Sequence, residues 1–217
     1  MKIYHVLFTL FAIVFLQTSC SKEVIQSDDE LIQISYTQTT GNCGQFKTHS
    51  PGGWGAVPQG NNPGTYLVAN FANVFNPVTI GCSEGFSISL TSAESITVLL
   101  PTGGTPSVLS ESSIDPTEMK NTLVGHLVSL TLSVGFDFYD ATFAEAAMNL
   151  GDMIIATGTF QGVSVNDFLQ IANEVIGGCN TTHSINDIHV TASQITRNYL
   201  NGTIDNGFLK CPETTPR

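Results

Sequence analysis

The chain has 217 residues, of which 41% are hydrophobic and only 12% charged, and 18 acidic side chains against 7 lysines and arginines give a formal net charge of −11. The hydrophobic share suffices for a packed core and excludes a disordered chain. The negative balance repels phosphate backbones, which excludes nucleic acid as a partner.

At the N-terminus Lys2 precedes an apolar run from Val6 to Leu16. At about eleven residues the run is too short to cross a bilayer as a helix and has the length of a signal-peptide core. It leads into Leu16-Gln17-Thr18-Ser19-Cys20. This resembles the lipobox of bacterial lipoproteins, whose cysteine becomes the mature N-terminus and carries acyl chains. The large apolar residue usual three positions before that cysteine is Gln17 here, with Leu16 one further back, a loose form typical of Bacteroidota. The alternative is an ordinary cleaved signal with an incidental cysteine. Two or three acyl chains anchor stably, since each buried CH₂ contributes about 0.8 kcal/mol. The segment Gln26-Ser27-Asp28-Asp29-Glu30 resembles the acidic surface-export signal of Bacteroidota lipoproteins, which usually lies closer to the cysteine; otherwise it reads as a solvated tether. The organisation expected is a signal peptide over 1–19, an acidic tether over 20–32 and a single globular domain over 33–212. The partner implied is a membrane reached through the lipid anchor. The location is the outer membrane, facing outward, with the periplasmic face as the alternative.

Within the domain, residues 31–37 (LIQISYT) alternate apolar and polar and predict a strand. The stretch HSPGGWGAVPQGNNPGTY follows and holds the single tryptophan, Trp54. Tyr66, Leu67, Phe71, Val74 and Phe75 fall near one helical face, which predicts a short helix over 65–75 ended by Pro77. Phe86, Ile88 and Leu90 alternate as a second strand. Thr91 and Glu94 have capping-box spacing ahead of a helix stopped by Pro101. Asp115-Pro116 predicts an N-cap and first helical position for a long apolar helix over 118–139, with Leu123, Leu127, Leu130 and Val134 on one face. Residues 143–150 predict another helix. Ser164 and Asp167 open one that Gly177-Gly178 ends, and Ser184 and Asp187 open the last, with Ile188, Ala192, Ile195 and Tyr199 inward. The fold class is α+β and predominantly helical: a C-terminal helical bundle with a small β element and a Gly/Pro-rich N-terminal loop region.

Besides Cys20 there are Cys43, Cys82, Cys179 and Cys211. An even number in an oxidising compartment predicts two disulfides out of three pairings. Spacing favours Cys43–Cys82 with Cys179–Cys211, each bracketing one segment. A Cys₄ zinc site is the rival, and no C-x-x-C spacing supports it.

The sequence carries no G-x-S-x-G elbow, H-E-x-x-H, P-loop or dinucleotide fingerprint. His126 on a Leu-rich helix reads as a core or interface residue rather than a ligand. Asp137, Asp140 and Asp152 read as helix-end and turn residues. No catalytic residue, metal or cofactor is expected. Trp54 admits three roles. It can plug the domain, with Gly52, Gly53 and Gly55 permitting close approach. It can form an exposed platform with Tyr66, beside Asn61 and Asn62, for stacking on a sugar ring. Or it can sit in a mobile linker. Flanking cysteines argue against the linker, and the expectation is an ordered loop with Trp54 as its plug.

The ordered motifs GGWG (52–55), GNNPGTYL (60–67), NFANVF (70–75), IGC (80–82), LTSAESITVLLPTGGTP (90–106), LVGHLVSLTLSVGFD (123–137) and ANEVIGGC (172–179) resemble an uncharacterised domain of secreted and cell-surface proteins of Bacteroidota and some other bacteria. The resemblance implies an extracellular module and brings no catalytic residue. The expectation is a non-enzymatic lipoprotein of the cell surface, an interaction or structural module whose partner is a glycan or an envelope protein. A glycan-binding accessory protein using the Trp54 loop is the alternative, and an envelope hydrolase a more distant one.

Overall fold

The structure is a computed structural model, and it describes residues 43–213. The lipobox with Cys20, the acidic segment and the strand expected over 31–37 lie outside the described residues.

The chain enters through strand β1 (Gly44–Gln45) and one helical turn, α1 (Pro51–Trp54), then forms α2 (Pro63–Val74). A hairpin follows, β2 (Val78–Gly81) and β3 (Ser87–Leu90), then α3 (Ala93–Leu99), β4 (Ser113–Ile114) and the long α4 (Thr122–Tyr139). After β5 (Glu145–Ala146), a 3-10 turn at Leu150–Asp152 and β6 (Ile154–Ile155) come α5 (Val165–Gly177), α6 (Ile185–Asn198) and β7 (Leu209–Lys210). The fold is a mixed α+β one in which the helices dominate.

Helix α4 forms the centre. Leu123, Val124, Leu127, Val128, Leu130, Leu132 and Phe136 are buried all around it, and α1, α2, α5, α6 and β2 pack against it. It is the one helix among the described residues long and apolar enough to cross a membrane, and 61% of it is buried inside the domain, as a core helix is. The hairpin alternates as a half-buried sheet must: Val78, Ile80, Ile88 and Leu90 face the core. β2 and β3 pair antiparallel, and β4 adds in parallel with Ile88 opposite Ser113. Two more ladders, β1 with β5 and β6 with β7, have two residues per strand.

Local signals placed most helix starts. Ser164 and Ser184 accept hydrogen bonds from the backbone N–H of Asp167 and Asp187, and Gly178 ends α5 at φ 84°. Asn62 caps α2, which begins at Pro63, two residues before the predicted start. The capping box at α3 is shifted by one residue: Ser92 and Ser95 bond reciprocally, not Thr91 and Glu94.

Three expectations are corrected. Asp115 does not cap α4. It takes φ 49°, and its carboxylate accepts from the Thr91 backbone N–H (2.7 Å) and hydroxyl (2.6 Å), tying the end of β3 to β4. Asn121 caps the helix instead and holds the preceding loop by donating to the Ser107 carbonyl at 2.7 Å. Residues 143–150 are not helical. Phe143 enters the core, residues 145–146 pair with β1, and the Leu150 N–H donates to the Asp137 carboxylate. Finally, the disulfides are Cys43–Cys211 and Cys82–Cys179. The β1–β5 and β6–β7 ladders bring the two ends of the domain together, and residues 85–86 lie against the end of α5, so the sulfurs meet across the fold.

Candidate functional site

The Trp54 stretch is built from short-range chemistry. The Ser50 hydroxyl caps the Gly53 N–H at 3.1 Å, and Pro51 sets the first helical position. Gly55 must be glycine, because a Cβ there would lie 2.3 Å from the Leu100 carbonyl oxygen. This close approach drops Trp54 into the core at 0% exposure. Its ring stacks on Phe143, tilts on Phe136 and receives the edge of His49. The indole N–H faces the Ser133 hydroxyl at 3.4 Å, and that hydroxyl donates to the Ser129 carbonyl. Trp54 is therefore a plug, which corrects the platform and linker alternatives: a buried indole offers no face to a sugar ring.

Of the other three residues named for the platform alternative, Tyr66 packs on the same two rings as Trp54, those of Phe136 and Phe143, without forming an open face with it. The Tyr66 hydroxyl donates to Asp140 Oδ2 at 2.7 Å, and its ring lies edge-on to Phe136. Burial and the Asp140 carboxylate hold the Tyr66 phenol well above its ordinary pKa. Hydrogen bonds from Thr142, then Tyr66, hold Asp140 below the usual carboxylate range. The Asn62 side chain accepts from Thr65 N–H at 2.9 Å and donates to the Val57 carbonyl at 2.8 Å. Asn61 is exposed at the turn before α2.

His49 is buried beneath the surface next to the plug. Its Nδ1 meets Asn201 Oδ1 at 2.9 Å, and burial pushes its pKa down. Outside Asn201 lies a shallow cleft of about 210 Å³ lined by Lys47, Thr142, Phe143 and Glu145. The Lys47 ammonium stands 5.2 Å from the centre of the Phe143 ring. A second depression of about 220 Å³ sits on the other side of Gln45 and Gly202. Both are below the ~300–1,000 Å³ of pockets that enclose a small organic ligand.

Asp137 and Asp152, like Asp140, are committed to nearby groups. Burial raises the pKa of Asp137, whose carboxylate accepts the Leu150 N–H, and Asp152 meets Asn149 and Asn166. Among the described residues, no group of three or more His, Cys, Asp or Glu side chains is arranged around a common point for a metal ion.

Sequence reasoning missed one juxtaposition. His126 of α4 and His189 of α6 meet across the helix seam with ring centres 5.3 Å apart. Burial, then His189 and Arg197, lowers the His126 pKa to about 4, and burial lowers that of His189. Far apart in the chain and on different helices, the two residues share no spacing that could have revealed them.

No family model, curated protein or solved structure matches this chain.

The two disulfides mark an extracytoplasmic protein, because thiols are kept reduced in the cytosol.

Proposed function

We propose that the protein is a lipoprotein of the bacterial outer membrane, held by acylated Cys20 and presenting its disulfide-stapled domain at the cell surface as a non-enzymatic interaction or structural module. The observation that carries this reading is the pair of disulfides, which requires an oxidising compartment. The apolar run Val6–Leu16 before Cys20, the acidic segment ending at Glu30 and the resemblance to the Bacteroidota surface domain support the finer address. The non-enzymatic part is supported by how the side chains of interest are engaged. His49 holds Asn201, Asp137 holds the Leu150 N–H, and Asp140 holds Thr142 and Tyr66.

Intact-mass analysis of the chain purified from its native membrane tests the proposal. The expected species begins at Cys20 with a diacylglycerol on the thiol and both disulfides closed. Cys20→Ala should remain unprocessed and carry no acyl mass. An unacylated chain with reduced thiols would overturn the reading.

A further inference from the structure

We propose that His126 and His189 form a two-imidazole site for a late first-row divalent cation of the zinc and copper class, bridging α4 and α6. The argument rests on geometry and is independent of how the chain is anchored.

Thr196 fixes the first ligand nitrogen. The Thr196 hydroxyl donates to the Ala192 and Ser193 carbonyls at 3.1 and 3.0 Å, the usual back-bond of a helical threonine. With its one proton turned to the helix backbone, that oxygen accepts from His126 Nδ1, 3.4 Å away, in the tautomer the site uses. Nδ1 then carries the ring proton, and Nε2 is left with its lone pair. A second group that orients the imidazole in this way is what metal-binding histidines usually have. With Nδ1 engaged at Thr196, Nε2 is the nitrogen left for an ion shared with His189, whose ring packs on that of His126. On His189, Nε2 is closed off from solvent and has no hydrogen-bond partner, although the residue as a whole is half-exposed.

The spacing suits a shared ion. With metal–nitrogen bonds of ~2.0–2.1 Å, a zinc ion lies ~3.2 Å from each imidazole centre, and at the tetrahedral angle the two centres stand ~5.2 Å apart. The observed separation is 5.3 Å. Imidazole nitrogens favour zinc, copper and nickel over magnesium and calcium. Two protein ligands leave the remaining positions to water, and because His189 Nε2 is closed to solvent, its half-exposed ring must turn outward to admit the hydrated ion. The other cation that acts on His126 is Arg197, which is exposed.

The test is thermal unfolding of the full chain in EDTA, in ZnCl₂ and in MgCl₂. Zinc at a hundredfold excess over half-saturation should raise Tm by about 5–10 °C, and magnesium should not. His126→Gln and His189→Gln should each abolish the zinc shift, while His183→Gln, which packs on Phe160 outside the pair, should keep it. Electron paramagnetic resonance of the Cu²⁺-loaded wild-type chain gives a readout that needs no variant, and two coordinated nitrogens are expected. Absence of a zinc shift, a shift that survives in both glutamine variants, or a copper signal without two nitrogens overturns the site.

Discussion

Replacing Cys43 and Cys211 together by serine should remove one of the two largest constraints on the unfolded chain. The bridge spans 168 residues and the other spans 97, and the second lies inside the first. With Cys82–Cys179 closed, the path between Cys43 and Cys211 shortens to about 70 residues, and the chain-entropy relation then gives about 4 kcal/mol for the outer bridge. The same relation gives about 5 kcal/mol for the inner one, so the nested arrangement contributes about 9 kcal/mol in all. The sequential pairing that spacing favoured would contribute only about 7–8 kcal/mol, because both of its loops are short. The double variant should therefore lose about 10–15 °C in Tm. The measurement is reversible thermal or urea unfolding, beside peptide mapping without reductant. A loss below about 1 kcal/mol would refute the constraint argument. A map that joins Cys43 to Cys82 would refute the pairing itself.

Three further outcomes follow from the packing. Trp54→Ala empties a fully buried aromatic site and should cost about 3–5 kcal/mol; as the single tryptophan, Trp54 should emit in the blue and resist iodide quenching, and water-like emission from the folded chain would contradict its burial. The adjacent glycines closing α5 should respond differently to alanine. Gly178 needs only its φ of 84°, with Val108 at 3.5 Å from a new Cβ, whereas at Gly177 that Cβ would lie 2.4 Å from Cys82 Sγ. Gly178→Ala should cost about 1 kcal/mol and Gly177→Ala about 2–3 kcal/mol, and the reverse order in urea unfolding would contradict the close approach. In EDTA, stability should fall as pH drops from the ordinary histidine value of 6.5 to about 4, because the unfolded chain takes up a proton that folded His126 refuses. The undamped shift corresponds to about 3 kcal/mol, and solvent screening of this half-buried ring reduces it to about 2 kcal/mol. Asp137 has the opposite sign, since its raised pKa favours the folded state as acid protonates it. His49 and His189, whose pKa values burial also lowers, add loss of the same sign, so His126→Gln should reduce the slope in that window without abolishing it, and an unchanged urea-midpoint profile would refute the assignment.

The sequence by itself determined what short-range physics controls. Serine caps at α5 and α6, the Pro63 start of α2, the alternation of Ile88 and Leu90, and the apolar circumference of α4 are all set within a few residues of where they act. The presence of two disulfides was legible from cysteine number and address. Only the tertiary structure decided where competing partners lay. Asp115 has every mark of an N-cap, yet Thr91, distant in sequence, claims its carboxylate. Residues 143–150 have a helical pattern, yet β1 and the aromatic core around Trp54 claim them. The cysteines paired by which strands closed the domain, not by spacing. Of the four residues named for the platform alternative, Trp54 was drawn inside because Gly55 allows its turn against Leu100, and Tyr66 was captured by Asp140. The same long-range packing set His126 beside His189. Hydrophobic periodicity tells which face of a helix turns inward; it carries no information on which distant residue that face will meet.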